Sequence, residues 1–270
     1  MFDYFLSKLK LAAIDIGSNA IRLQITSTIR TKGQLNFKKL EYVRFPLRLG
    51  QDVFNTGNIS PEKEEKFIKL MKAFKLLIDL YDVDDYMACA TSAMREAKNG
   101  KGIVQKVESV CQLKINIISG AKEALLINNA IRSFLEQDTN YHHIDVGGGS
   151  TELTIIDNSQ KVISKSFKIG SVRRLSHHDS PTIWNTMRKW VEDHSGFAKG
   201  RIIAIGTGGN INKLFELSDK VKGELLGYQQ LKDTQTMIRN TSLKDRINEL
   251  QMNPDRADVI IPASEIYISI

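Results

Sequence analysis

The chain is poor in the residues that staple or punctuate a protein, with two cysteines and five prolines in 270 residues. Cys89 and Cys111 are too few and too far apart for a disulfide framework or a zinc site. Both read as reduced structural thiols, one inside an apolar strand pattern and one near a helix end. A run of about eighteen apolar residues is absent, so no transmembrane helix is expected. Met1–Lys10 carries lysines and aromatics but has neither a long apolar core nor a small-residue cleavage site, and it is not read as a signal peptide. Together these absences point to a cytoplasmic chain. Low-complexity segments and short repeats are missing as well. The net charge is +7, which attracts polyanions of several kinds: nucleic acid, anionic membrane, nucleotides or polyphosphate. The lysines are spread along the chain without a basic tail, which argues against a disordered nucleic-acid arm.

Some motifs are absent too. The Walker A pattern G-x-x-x-x-G-K-[ST] does not occur. Gly147-Gly148-Gly149-Ser150 is followed by a strand pattern rather than a helix, which argues against a dinucleotide site. No Ser-His-Asp or Cys-His arrangement is suggested. The five histidines, His142, His143, His177, His178 and His194, include two adjacent pairs, and adjacent residues on a strand point apart. They read as structural or surface groups.

What is present is an alternation of strand and helix patterns from end to end, which indicates an α/β fold. The length is sufficient for two domains. Leu11–Ile16 is a short apolar strand ending in Gly17-Ser18-Asn19, and residues 20–27 and 35–44 continue as strands. Residues 46–60 read as a glycine-bearing loop. Ser60, Pro61 and the glutamates after them then open a helix, with Phe67, Leu70, Met71, Phe74, Leu77, Ile78 and Tyr81 along one face. Strands over 86–91 and 115–118 and helices over 92–98, 103–113 and 119–136 follow. A second run begins near Tyr141: a strand to Val146, strands over 152–157 and 161–167, a helix over 181–193, a strand over 201–205, then helices. Ile14-Asp15-Ile16-Gly17-Ser18 and Ile144-Asp145-Val146-Gly147-Gly148 share one pattern. This echo suggests two related halves, residues 1–125 and 126–270.

Three turns follow apolar strands: Gly17-Ser18-Asn19, Gly147-Gly148-Gly149-Ser150 and Gly206-Thr207-Gly208-Gly209. Glycine lets backbone N–H groups converge on phosphate oxygens. Any one of these could be an ordinary tight turn, but three in one chain, two with Asp at the same offset, favour phosphate binding. Asp15 and Asp145 stand at strand ends, where a carboxylate can hold a hard cation such as Mg²⁺; each could instead stabilise its own turn. Glu152 is either a further metal contact or a solvated strand residue.

Five motifs in order then resemble the exopolyphosphatase/guanosine pentaphosphate phosphohydrolase (Ppx/GppA) family. They are Ala13-Ile14-Asp15-Ile16-Gly17-Ser18-Asn19, residues 90–97 (Ala-Thr-Ser-Ala-Met-Arg-Glu-Ala), Ile118-Ser119-Gly120 with Glu123-Ala124, residues 144–153 (Ile-Asp-Val-Gly-Gly-Gly-Ser-Thr-Glu-Leu), and Ile205-Gly206-Thr207-Gly208-Gly209. The resemblance implies two ribonuclease-H-like, actin-like domains flanking a cleft. It implies hydrolysis of terminal phosphate from inorganic polyphosphate with Mg²⁺ or another divalent cation. Guanosine pentaphosphate is the alternative substrate, and an actin-like kinase or a non-catalytic binding protein is the alternative class. Glu123 falls where the family has its catalytic base; read without the resemblance it is a helix-start glutamate. The helix dipole and Lys122 would both favour its ionised form. Arg95 falls on a catalytic arginine, and Arg22 and Arg173 on basic positions lining the path of a polyanion. Ala20, Lys122 and Leu125 depart from common family residues and bear on substrate preference and turnover. Residues 256–263 resemble the start of the family's last helix, and the strand and helix that normally follow are expected to be missing. The absence of a C-terminal HD-type domain favours the short form. No membrane or specific nucleic acid is implied as partner, and a homodimer is compatible with the reading.

Overall fold

A computed structural model describes residues 9–31, 34–132, 135–136, 139–157, 162–176, 179–195 and 202–270. The chain divides into two compact units, Met1–Ile118 and Ser119–Ile270. The division falls before the helix that opens at Gly120, so that helix belongs wholly to the second unit.

In the first unit, β1 (Lys10–Ile16), β2 (Ile21–Thr31) and β3 (Gln34–Phe45) form an antiparallel meander. The short helix α1 (Leu49–Thr56) and the long α2 (Pro61–Leu80) follow. β4 (Asp85–Ala90), α3 (Ser92–Glu96), α4 (Gly100–Cys111) and β5 (Asn116–Ile117) complete the unit. The sheet order is β3-β2-β1-β4-β5, with β4 parallel to β1 and β5 parallel to β4. Alternation along β1 buries Ala12, Ile14 and Ile16 and leaves Asp15 half-exposed, as expected of a strand with one face in the core. α2 begins as its sequence dictates. Ser60 Oγ accepts from Lys63 N, Pro61 takes the first position, and Phe67, Met71, Phe74 and Ile78 are buried.

In the second unit, α5 (Gly120–Ile131) precedes β6 (Asn140–Val146), β7 (Thr151–Ile156) and β8 (Val162–Phe167). After these come α6 (Ser171–Leu175), α7 (Ile183–Ser195), β9 (Ile202–Thr207), α8 (Gly209–Glu216), α9 (Tyr228–Asn240), α10 (Leu243–Asn248), α11 (Pro254–Ala257) and α12 (Ile260–Ser269). The sheet order is β8-β7-β6-β9. Every residue of β7 is buried because both of its faces are covered. Leu153 and Ile155 join Ile144, Met187, Trp190, Leu214, Ile260 and Ile266 in the main core. The opposite face lies under α5, which packs on β7 and β8. That interface is apolar at one end, with Ile131, Tyr141 and Ile156. In the middle it is polar, where Asn128 Nδ2 donates to Ser164 Oγ at 2.8 Å and Thr154 Oγ1 and Ser164 Oγ lie 3.0 Å apart.

The echo between residues 11–22 and 141–152 is carried at the level of single bonds. Asp15 pairs with Arg22 across the first hairpin, and Asp145 pairs with Glu152 across the second. Gly17 N donates to Ala20 O in one turn and Gly147 N to Ser150 O in the other. A short helix returns to each turn: Gly50 N of α1 donates to Ser18 O, and Val172 N of α6 donates to Gly148 O, both at 2.8 Å. α1 replaces what the sequence reads as loop, and α6 falls where the sequence gives no element. α1 has no side-chain cap and enters through Arg48 at φ 55, so the usual start signals are missing. Tertiary hydrogen bonds to the turn take their place. No helix among the described residues is long and apolar enough to cross a membrane.

Candidate active site

The turn of the second unit is braced from behind. Gly147 O accepts from Ser171 N (2.9 Å) and Gly148 O from Val172 N and Arg173 N (2.8 and 3.0 Å). Gly149 O accepts from Arg173 Nε at 2.8 Å. Three successive carbonyls therefore face α6. A trans peptide sets the next N–H opposite its carbonyl, so the amides of Gly148, Gly149 and Ser150 point away from α6, where they can meet an anion. The close approach requires Gly170, because a Cβ there would fall 2.6 Å from Gly148 C and Gly149 N. Arg173, expected along the path of a polyanion, is buried behind the turn with its Nε committed to Gly149. It shapes the turn from the inside.

In the first unit, Ser18 O accepts from Gly50 N and Asn19 O from Arg48 N (2.9 Å). By the same planarity, the amides of Asn19 and Ala20 point away from α1. The Ser18 side chain is buried against Ser92, with the two hydroxyl oxygens 2.8 Å apart, so Ser18 offers the site its backbone. Arg95 lies half-buried on α3 and donates from Nη1 to Ile118 O at 2.6 Å. Asp15, expected as a metal ligand, accepts from Arg22 Nη1 at 2.5 Å, with both side chains partly exposed. The negative charge at this strand end already has a cation beside it.

The second hairpin reverses that charge. Where the first has Arg22, it has Glu152, which is 1% exposed and accepts from Ser166 Oγ at 2.7 Å through Oε1. Asp145 Oδ1 accepts from Thr207 Oγ1 at 2.7 Å, and Thr207 Oγ1 lies 2.9 Å from His143 Nε2. Tyr267 of α12 joins the same strand ends, with its hydroxyl donating to Thr207 O at 2.7 Å and accepting from Val146 N at 3.3 Å. Its phenol is held well above the usual range by burial and then by the negative charge of Asp145.

Two neighbouring carboxylates on one sheet edge form an oxygen donor set of the kind a hard divalent cation accepts. Among the described residues no group of three or more His, Cys, Asp or Glu side chains is disposed to hold a metal. A cation at Asp145 and Glu152 would therefore complete its shell with water and substrate oxygens, the usual habit of Mg²⁺.

α5 brings Glu123 to the same edge. Ser119 caps the helix, its Oγ accepting from Lys122 N and its carbonyl from Glu123 N. Gly120 lies so close to β8 that a Cβ would stand 2.5 Å from Ser166 Oγ and 4.0 Å from Glu152 Oε1. The first turn of α5, with Glu123 half-buried on it, thus sits over the Ser166–Glu152 pair. Lys122 and Leu125 are exposed.

The third turn follows β9. Gly208 has φ +104, a left-handed conformation that only glycine adopts without strain. Gly209 lies under the Arg256 guanidinium, whose Nη2 would be 2.6 Å from an added Cβ. Arg256 is a cation at the site that the turn motifs do not signal, since it arrives from α11. His143, which the sequence reads as a structural or surface group, is buried and meets Thr207 Oγ1 through Nε2, a contact that no spacing rule signals. Burial lowers its pKa to about 4 and also lowers that of His142. His142 and His194 take packing roles, against Ser195 Oγ and Trp190 O respectively. His177 and His178 lie outside the described residues. Cys89 and Cys111 are free thiols.

A model of the Ppx/GppA phosphatase family matches residues 27–270. The bifunctional 3-dehydroquinate synthase/phosphatase of Fusobacterium nucleatum is 30% identical over 97% of this chain, which spans 43% of that protein. Exopolyphosphatase 2 of Mycobacterium tuberculosis is 27% identical, over 93% of this chain and 86% of its own. Among solved structures, the Ppx/GppA family member of Aquifex aeolicus superposes with a TM-score of 0.73 at 26% identity, covering 97% of this chain and 90% of that one.

Proposed function

The chain belongs to the Ppx/GppA phosphatase family, and on that premise we propose that it hydrolyses phosphoanhydride bonds, releasing terminal orthophosphate from inorganic polyphosphate with the help of a divalent cation. The observation that carries this reading is the grouping in the second unit. Outward amides at 148–150, the Asp145–Glu152 pair and the first turn of α5 with Glu123 share one end of one sheet.

In this reading the turn amides hold the non-bridging oxygens of the terminal phosphate. They are already oriented, so they stabilise charge in the transition state without rearranging. Glu123 accepts a hydrogen bond from the attacking water and aims its lone pair at phosphorus. A bond forms from the water oxygen to the terminal phosphorus as the bridging P–O bond breaks. The electron pair leaves on the shortened chain, and the water proton passes to Glu123 or to solvent. A loose transition state asks little of the base early in the reaction. A divalent cation held by Asp145 and Glu152 would supply neutralisation of phosphate charge. Arg22 and Arg95 supply positive charge to phosphate near the turn of the first unit.

Phosphate release from long-chain polyphosphate and from guanosine pentaphosphate, measured side by side with Mg²⁺ and with EDTA, tests the proposal. Release from polyphosphate that EDTA stops supports it. Release from guanosine pentaphosphate alone moves the substrate to that nucleotide. Binding of polyphosphate without release from either makes the chain a binding protein. Glu123→Gln should keep polyphosphate binding and lose about 10²–10⁴-fold in turnover. Undiminished release by that variant removes Glu123 from the mechanism.

A further inference from the structure

His143 sits on β6 between Thr154 of β7 and Ile205 of β9 and is 1% exposed. Its Nδ1 is buried and meets no hydrogen-bond partner among the described residues. A desolvated ring with one unmatched nitrogen is unfavourable relative to an apolar side chain of similar size. The contact it makes in exchange is between Nε2 and Thr207 Oγ1 at 2.9 Å, and Thr207 Oγ1 lies 2.7 Å from Asp145 Oδ1.

The direction of these bonds follows from proton counting. An ionised carboxylate only accepts, and a threonine hydroxyl has a single proton to give. That proton goes to Asp145, so Thr207 Oγ1 must accept from His143, and Nε2 must carry the hydrogen. The opposite tautomer would place an N–H at Nδ1, where no acceptor waits, and orphaned buried N–H groups are rarer than orphaned acceptors. The chain His143→Thr207→Asp145 therefore runs one way. It also removes Thr207 from the hydroxyls available to donate to a phosphate.

We infer that His143 is a positioning residue, holding the Thr207 hydroxyl so that its proton fixes the orientation of the Asp145 carboxylate. The inference rests on the proposed role of Asp145 as the carboxylate that meets the cation. Outer partners of this kind govern ligand geometry, and their loss weakens metal binding about 10–100-fold in known sites. Neither the phosphate turns nor the strand–Asp–Gly pattern signals such a device.

Mn²⁺ binding measured by electron paramagnetic resonance without substrate, together with kcat, KM and thermal melting, tests it. His143→Leu should weaken Mn²⁺ binding about 10–100-fold and lower kcat. His143→Gln, whose amide N–H reaches the place of Nε2–H, should restore Mn²⁺ affinity to within about threefold. Thr207→Val should show the same loss, Thr207→Ser should not, and His143→Leu combined with Thr207→Val should lose no more than either alone. The threonine variants carry the test should the leucine variant fail to fold. Wild-type Mn²⁺ affinity in His143→Leu, with only the melting temperature moved, overturns the inference, as does additivity of the two losses. Asp145→Asn separates the two levels. If it keeps Mn²⁺ affinity and turnover, the role of Asp145 falls; if it abolishes both while His143→Leu changes neither, only the positioning role of His143 falls.

Discussion

The two hairpins that carry the Asp-x-Gly pattern have the same backbone and opposite electrostatics. In the first, Asp15 faces Arg22 at 2.5 Å, and the pair is partly open to solvent. In the second, Asp145 faces Glu152, a buried acid held by Ser166. The turns, their closing bonds and the short helices behind them are otherwise alike. The fold thus provides outward amides twice, and one cross-strand position decides what else each end can do. A cation beside the aspartate favours anions directly, whereas a second carboxylate favours a metal.

Exchanging that position is the strongest way to break the comparison. Glu152→Gln keeps the shape and removes the charge, and it should cost on the order of 10²–10³-fold in turnover, with a rise in the Mg²⁺ concentration needed; a metal titration of phosphate release reads it. Next in size is the brace behind the turn. Gly170→Ala forces a Cβ into the Gly148–Gly149 backbone, while Gly50→Ala meets the Ser18 and Phe54 side chains in addition to Ser18 O. Gly170→Ala should lower stability by about 1–3 kcal/mol and depress turnover, and Gly50→Ala should do less of both, as chemical denaturation and activity assays will show. Arg22→Gln should act on binding rather than on chemistry, raising KM by up to about tenfold at low salt and less at high salt; KM measured at two ionic strengths checks it.

The smallest effect on activity concerns pH. All five histidines lie in the second unit. In the folded state burial depresses the pKa of His143 to about 4 and lowers that of His142 as well. Below the unfolded value of about 6.5 the unfolded chain takes up protons that these rings refuse. Stability is therefore full above about pH 6.5 and is lost as pH falls toward 4. For His143 the loss reaches at most roughly 3 kcal/mol. Amide hydrogen exchange at pH 7 and pH 5 should show the second unit loosening before the first.

Much of this was legible in the sequence because it is written locally. A strand ending in Asp-x-Gly announces a hairpin turn, and Ser60-Pro61 announces the start of a helix. What was not legible depends on chain segments meeting from afar. α1 and α6 have weak start signals and are held by carbonyls of turns more than twenty residues away. Arg173 stands at a basic position of the motifs, yet its Nε turns inward to Gly149. Ser166, His143, Arg256 and Tyr267 meet partners on other elements, and no spacing rule connects them. The family resemblance singled out Glu123; its own neighbourhood reads only as the start of a helix.

The carbonyls of Gly147, Gly148 and Gly149 are all tied down before any substrate arrives. The turn is therefore stiff, its dipoles aligned once, during folding. Under the proposed function, a mould made only of backbone would recognise the tetrahedral end group and be blind to whatever is joined beyond it. Discrimination between a long inorganic chain and a nucleotide would then reside in side chains away from the turn.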